Sequence, residues 1–360
     1  MKQTVRRLPT AARGRIRRGV VSAAIGCAAV ALLAACGGSS GSGGSDGAAT
    51  LTLYSAQHPE TTSALVAAFT KQTGIKVRVK SDDEDVFTAQ IEQEGSHSPA
   101  DLFFTENSNW LAQLDEQGLL AKVSKSTLAE VPARDSAANG DWLGVSGRYS
   151  VLIYNPSKIS SSQVPHTVRA LADPEYKGKL ELAPSETDFW PIVTSVARAD
   201  GQAAALTWLK GLKANAGSDD HTPDNETLVG DVSAGRAAMG LINHYYYFRI
   251  RQEMGAANFH AKLAWLAPAD PGFVEDISGA AVLKSSSHQA EAQKFLAFLD
   301  SPAGQRVIAH SASFEYPLAP GVAPNSQLPP VSSLHPNPIT PAQIGTADDA
   351  HALLEQAGLL

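Results

Sequence analysis

At 360 residues the chain is too long for one small core, and its 36 Asp and Glu against 29 Lys and Arg, a formal charge of −7, make nucleic acid a poor partner. Its two cysteines, Cys27 and Cys36, leave no room for a disulfide framework.

Residues 1–35 read as a signal peptide. Seven Lys and Arg and no acidic residue accompany an apolar stretch of 17 residues from Gly19 to Ala35, short of the ~20 needed to span a membrane. The segment Leu33-Ala34-Ala35-Cys36 resembles the lipobox of bacterial lipoproteins, which implies acylation of Cys36 and export to the outer face of the cytoplasmic membrane, at the cell surface or in the periplasm. Residues 36–49 then form a Gly/Ser linker, a coil reaching roughly 20 Å. Without the leader, 22 Lys and Arg face 36 Asp and Glu, a formal charge of −14.

The next elements alternate. Leu51 to Ser55 reads as a strand, Glu60 to Thr73 as a helix stopped by Gly74, and Ile75, Val77 and Val79 as a second strand. A helix over Asp85 to Glu94, a strand over Asp101 to Phe104 and a helix bearing Trp110, Leu111 and Leu114 complete a β-α-β-α-β-α run. This predicts a parallel sheet flanked by helices, with ligands bound beyond the carboxyl ends of its strands. Trp142 to Asn155 reads as a strand pair, and Leu180 to Ala183 opens a second α/β set with helices over Asp188 to Ala199 and Gln202 to Ala214. The apolar run Met239 to Ile242 is a buried strand, followed by a helix from Tyr247 to Met254. Ile277 to Lys284 is a strand, Ser287 to Leu299 an amphipathic helix, and Thr340-Pro341-Ala342-Gln343 a capping box opening a terminal helix to Leu360. Two α/β lobes joined by crossover strands follow, with 50–150 and 277–325 in lobe 1, 151–276 and 326–360 in lobe 2, and the ligand in the cleft between them.

Three of the eight tyrosines fall in His244-Tyr245-Tyr246-Tyr247-Phe248, at the end of the Met239 strand. Such clusters are more often packing than chemistry. His58 and Glu106 follow the first and third strands, so a parallel sheet presents both to one cleft, although singly a helix-start histidine and a loop acid are ordinary. Together, phenolates, a carboxylate and an imidazole are hard donors suited to a small, highly charged cation such as ferric iron, whereas calcium favours more carboxylates and zinc more His or Cys. If the strand continued through the tyrosines, His244 and Tyr247 would point away from Tyr245 and Tyr246 respectively. No Gly-x-Ser-x-Gly, His-Glu-x-x-His or phosphate-binding loop supports an exported hydrolase.

The segments Leu53 to His58, Ser98 to Asn107, Val151 to Lys158 and Ile242 to Tyr246 resemble the bacterial ferric-ion-binding proteins, the solute-binding components of iron(III) ABC importers. The resemblance runs in order from about Thr50 to Leu360. It implies a two-lobed type II periplasmic-binding-protein fold, and a monomer, not an enzyme, that hands iron(III) to an ABC permease with its ATPase. It also implies His58, Glu106, Tyr245 and Tyr246 as metal ligands, with Tyr154 weighed as a hinge residue or a further phenolate. A synergistic anion, phosphate, carbonate or similar, would lie near Ser185, Glu186, Thr187, Asn225, Asn243 and Asn107. Ser185, followed by Asp188, reads as the N-cap of the helix whose amides would attract it. Glu186 puts negative charge where phosphate-binding members have small residues, and Asn107 replaces a longer glutamine. The same scaffold binding a polyamine, thiamine or organic anion is the alternative.

Overall fold

The structure, a computed structural model, describes residues 50–217 and 222–360. The signal peptide, lipidation at Cys36 and linker expected from the sequence lie outside the described residues.

Strand β1 (Thr50–Ala56), helix α1 (Pro59–Thr73), strand β2 (Lys76–Ser81), helix α2 (Glu84–Glu94), strand β3 (Leu102–Thr105) and helix α3 (Ser108–Glu116) follow the alternation read from the sequence. β1 pairs in parallel with both β2 and β3. Helix α1 starts at a proline, which needs no amide partner there, and stops at Gly74, whose φ of 74° only glycine adopts freely and whose N–H caps Thr70 O.

After the short helix α4 (Lys125–Leu128) comes β4, Leu143–Tyr154, buried throughout. It is one 12-residue strand, not the strand pair expected over Trp142 to Asn155. Its glycines serve close approach rather than a turn: a Cβ on Gly144 would lie 2.1 Å from Asp135 O. The chain continues through β5 (Leu180–Glu181), α5 (Trp190–Asp200), α6 (Gln202–Asn215), α7 (Asn225–Ala234), β6 (Met239–Asn243), α8 (His244–Met254), β7 (Lys262–Ala264) and β8 (Glu275–Val282). Helices α9 (Gln289–Asp300) and α10 (Pro302–His310) and strand β9 (Tyr316–Pro317) complete the middle of the chain.

The sheet order is β2-β1-β3-β8-β4-β6-β5, with β7 and β9 also on β4. The first half of β4 pairs antiparallel with β8 from Leu143↔Ala280 to Tyr149↔Glu275, and the second half with β6 from Ser150↔Asn243 to Tyr154↔Met239. One strand therefore threads two apolar cores. Leu51, Phe69, Phe104 and Phe295 centre the first, while Val151, Leu209, Leu241 and Leu354 centre the second.

The Thr340–Gln343 capping box forms, but the helix it opens, α11 (Pro341–Ile344), lasts one turn. Gly345 and Ala347 take positive φ, 62° and 64°, and break it before α12 (Asp348–Ala357), so the single terminal helix expected is two.

Candidate metal centre

The register Ala56↔Thr105 sets the loops after β1 and β3 side by side. His58 precedes Pro59, which keeps it out of the helical region, and its N–H donates to Gln57 Oε1 at 2.7 Å. Its Nδ1 lies 3.1 Å from Glu106 Oε1, and its Nε2 is buried with no partner. On the opposite side β6 ends at Asn243 and α8 begins at His244, so the tyrosines stand on the first turn of a helix rather than on a strand. Helical steps of about 100°, not strand alternation, then separate their directions. Tyr245 and Tyr246 stack with centroids 4.1 Å apart, and the Tyr245 hydroxyl donates to Glu106 Oε2 at 3.1 Å and to Asp188 Oδ2 at 3.2 Å. Tyr247 turns away onto Phe259, 5.2 Å between centroids. His244 is fully buried, with Nδ1 accepting from Tyr149 N at 3.1 Å and Nε2 donating to Phe314 O at 2.9 Å.

Three site residues escaped the sequence reading. Arg148, fully buried at the middle of β4, lies 3.6 Å from Glu106, 3.7 Å from Asp188, 3.3 Å from Asp276 and 3.1 Å from Glu315, and donates to Glu106 O. A lone arginine in the run Leu143 to Tyr154 was the signal available. Arg249 lies 3.4 Å from His58 Nδ1. Glu84 accepts from Thr105 Oγ1 (2.5 Å), Asn107 N (2.6 Å), Asn107 Nδ2 (2.8 Å), Trp110 Nε1 (2.9 Å) and Thr187 Oγ1 (2.9 Å). The last of these joins the two sides of the site.

The six residues expected to hold an anion are divided. Asn107, Ser185, Glu186 and Thr187 line a cavity of about 930 Å³ that also takes in His58, Glu106, Tyr246, Arg249, Asp82, Asp83 and Glu226. Asn225 and Asn243 are buried and do not line it, and Asn243 Nδ2 has no partner. Ser185 does not cap a helix: a 3₁₀ turn over Thr187–Phe189 intervenes before α5 starts at Trp190. Tyr154 pairs with Met239, at the opposite end of β6 from the tyrosine pair, and is packed in the second core, so it is not brought to the site as a further ligand.

Burial sets the protonation of the donors. Burial, then the charges of Arg249 and Arg148, hold His58 well below the usual imidazole range, leaving it neutral. Burial pushes the Glu106 carboxyl well up, against the opposing pull of Arg148, and pushes both phenols well above their ordinary value, helped by Asp188 and Glu106. Glu186 is pushed up to about 8 by burial and by Asp188. Among the described residues no group of three or more His, Cys, Asp and Glu could hold a metal ion.

Cleft, crossover strand and paired cores define the class. The family model described as bacterial extracellular solute-binding protein matches residues 55–306. The "Fe(3+)-binding periplasmic protein" of Serratia marcescens is 36% identical over 310 residues, covering 86% of this chain and 90% of that protein. The "Major ferric iron-binding protein" of Neisseria meningitidis serogroup B is 38% identical over 313 residues, 86% of this chain and 93% of the relative. Among solved structures, iron-bound HitA from Pseudomonas aeruginosa superposes with a TM-score of 0.81 at 38% identity, covering 86% of this chain and 99% of that one. Trichodesmium FutA (IdiA), in complex with iron and citrate, gives 0.76 at 30% identity with coverage of 86% and 99%. The chain belongs to the bacterial ferric-ion-binding protein family, with its two-lobed α/β fold, a family of binding proteins rather than enzymes.

Proposed function

We propose that this protein captures ferric iron in the cleft and delivers it to the permease of an ABC importer powered by its ATPase. The observation that carries this reading is the convergence of His58 and Glu106, from the loops after β1 and β3, with Tyr245 and Tyr246, from the first turn of α8, on one buried point. A neutral imidazole, a carboxylate and two phenols suit a hard trivalent ion, which displaces the phenolic protons on binding. Four such donors leave about two positions of a six-coordinate shell for further oxygen donors at the edge formed by Ser185, Glu186 and Thr187: water, an anion such as phosphate or carbonate, or a protein carboxylate.

Residues 50–150 with 277–325 act as one lobe and 151–276 with 326–360 as the other, with β4 and β8 as the crossover strands between them. Closure of the lobes completes the ligand shell and excludes water. The protein works as a monomer, tethered through lipidated Cys36 and the linker to the outer face of the membrane. Adding a ferric salt to metal-free protein tests the reading: a phenolate-to-iron absorption band must develop to one equivalent, and its absence overturns iron as the cargo.

A further inference from the structure

The cavity that takes in the proposed iron donors is ringed by acid. Nine of its lining residues are Asp or Glu, against one Arg and no Lys. Several of the nine have partners: Glu84 accepts five hydrogen bonds, Glu106 and Asp188 lie beside Arg148, and Glu226 is 3.7 Å from Arg249. Asp82, Asp83, Asp85 and Asp348 are different. All four are exposed, and among the described residues none of them forms an ion pair with a Lys or Arg.

An acid in the first turn of a helix ordinarily does no more than offset the helix dipole. That accounts for one helix at a time, whereas here four helix starts bring acid to one opening. Asp83 and Asp85 flank Glu84 at the start of α2, Asp188 stands in the 3₁₀ turn ahead of α5, Glu226 opens α7 and Asp348 opens α12. Helix α2 packs with Tyr54 and Phe103 on one side of the cleft, and α5, α7 and α12 pack in the second core on the other. Free amides at helix starts are the groups by which a cleft attracts an anion. In this cleft each such pole is countered by the chain's own carboxylates; at α7 the bond is closed outright, Asp224 Oδ1 accepting from Thr227 N at 2.6 Å.

The inner end of the same cavity bears the marks of a cation site by a separate observation. His58 is 7% exposed, its Nε2 has no partner, and it lines the cavity together with Glu106 and Tyr246. Whatever reaches these donors therefore passes between opposed acidic walls. Such walls focus the field and change encounter rates by about 10- to 1000-fold, in opposite directions for cations and anions.

We infer that the mouth of the cleft sorts iron by the charge of the complex that carries it, drawing in cationic ferric species, hydrated hydroxo ions or small positively charged chelates, and holding back anionic chelates such as ferric citrate. The inference rests on the iron-capture reading above and adds the form of iron that the cleft accepts. Transfer is an exchange of donors with no change of oxidation state: the carrier's bonds to iron break as those to the protein form, and the two phenolic protons pass to water or to the released carrier.

Stopped-flow mixing of metal-free protein with ferric bis-acetohydroxamate, a monocation, and separately with ferric dicitrate, a polyanion, tests this through the rate at which the phenolate-to-iron band grows. Raising sodium chloride from about 20 to about 300 mM should slow capture from the cation at least about threefold and speed capture from citrate, because screening removes attraction in one case and repulsion in the other. The combined variant Asp82→Asn, Asp83→Asn and Asp85→Asn keeps side-chain shape and capping ability, and its folding is checked by urea denaturation. It should slow capture from the cation at least about fivefold at low salt, speed capture from citrate, and leave retention against a competing chelator within about twofold of wild type once iron is loaded. Salt responses in the same direction for both donors, unchanged rates in the variant, or retention lost in proportion to rate overturn the inference and leave iron capture standing. No band with either donor removes the iron reading itself.

Discussion

On the side of the first core, the proposed donors are held by polar contacts: Glu106 lies against His58, Arg148 and Tyr245, and Glu84 accepts four hydrogen bonds from Thr105, Asn107 and Trp110 about the loop after β3 and a fifth from Thr187. On the side of the second core, Tyr245 and Tyr246 are held by stacking on one another and by burial at the start of α8. Charge therefore governs the first side and shape the second. A substitution that preserves shape should be felt where charge matters, and one that removes a single oxygen should be felt where donation alone matters.

The largest effect is expected at Arg148. Arg148→Met leaves Glu106, Asp188, Asp276 and Glu315 without their shared cation, and stability measured by urea denaturation at pH 7.5 should fall by about 3–5 kcal/mol. An unchanged midpoint would break the electrostatic account of that side. Next comes Tyr246→Phe, which keeps the stacked ring but removes the oxygen: iron retention should fall by more than about 100-fold and the band should weaken sharply, while Tyr247→Phe leaves both as in the wild type. Equal losses in the two variants would remove the phenolate assignment.

The pH profile sharpens the contrast further. Asp135, Asp276 and Glu181 are held up to about 7 and Glu186 to about 8, each chiefly by burial. These folded values lie above the unfolded ones, so their contribution to stability is present at low pH and is lost as pH rises through them. Metal-free protein should therefore show a lower urea midpoint at pH 8.5 than at 6.5, and a midpoint that climbs across that interval contradicts it. Iron retention should run the other way. Its binding displaces protons from two phenols held well above their usual value, so acid weakens it, as chelator competition across the same interval would show. The smallest effect belongs to Thr187→Val, which removes the hydroxyl that accepts from Asn107 Nδ2 and donates to Glu84 across the two sides: about 1 kcal/mol, read as a severalfold faster iron loss.

The β-α-β-α-β-α opening was legible because Gly74, Gly95 and the apolar periods punctuate it locally, and the positions of His58 and Glu106 followed from strand ends alone. What was not legible depended on partners distant in sequence. That Leu143–Tyr154 is one strand is decided by β8 and β6, which supply its edges from more than one part of the chain. Asp188 read as a helix-start residue, since nothing near it in sequence announces Tyr245 or Arg148. The helix start at His244 was missed because three tyrosines and a phenylalanine favour strand by propensity, and the tertiary setting overrode it.

His244 carries a consequence for discrimination among metals. Both of its nitrogens are engaged, one by Tyr149 N and the other by Phe314 O, and burial drives its pKa down to about 4. Although two histidines lie beside Tyr245 in space, His244 next to it in the chain and His58 from the other side of the site, of the two only His58 has a nitrogen to give. Ions such as zinc and copper, which gain most from several imidazoles, find a cleft rich in oxygen and poor in nitrogen. A residue that touches no cargo thereby helps decide which cargo is turned away.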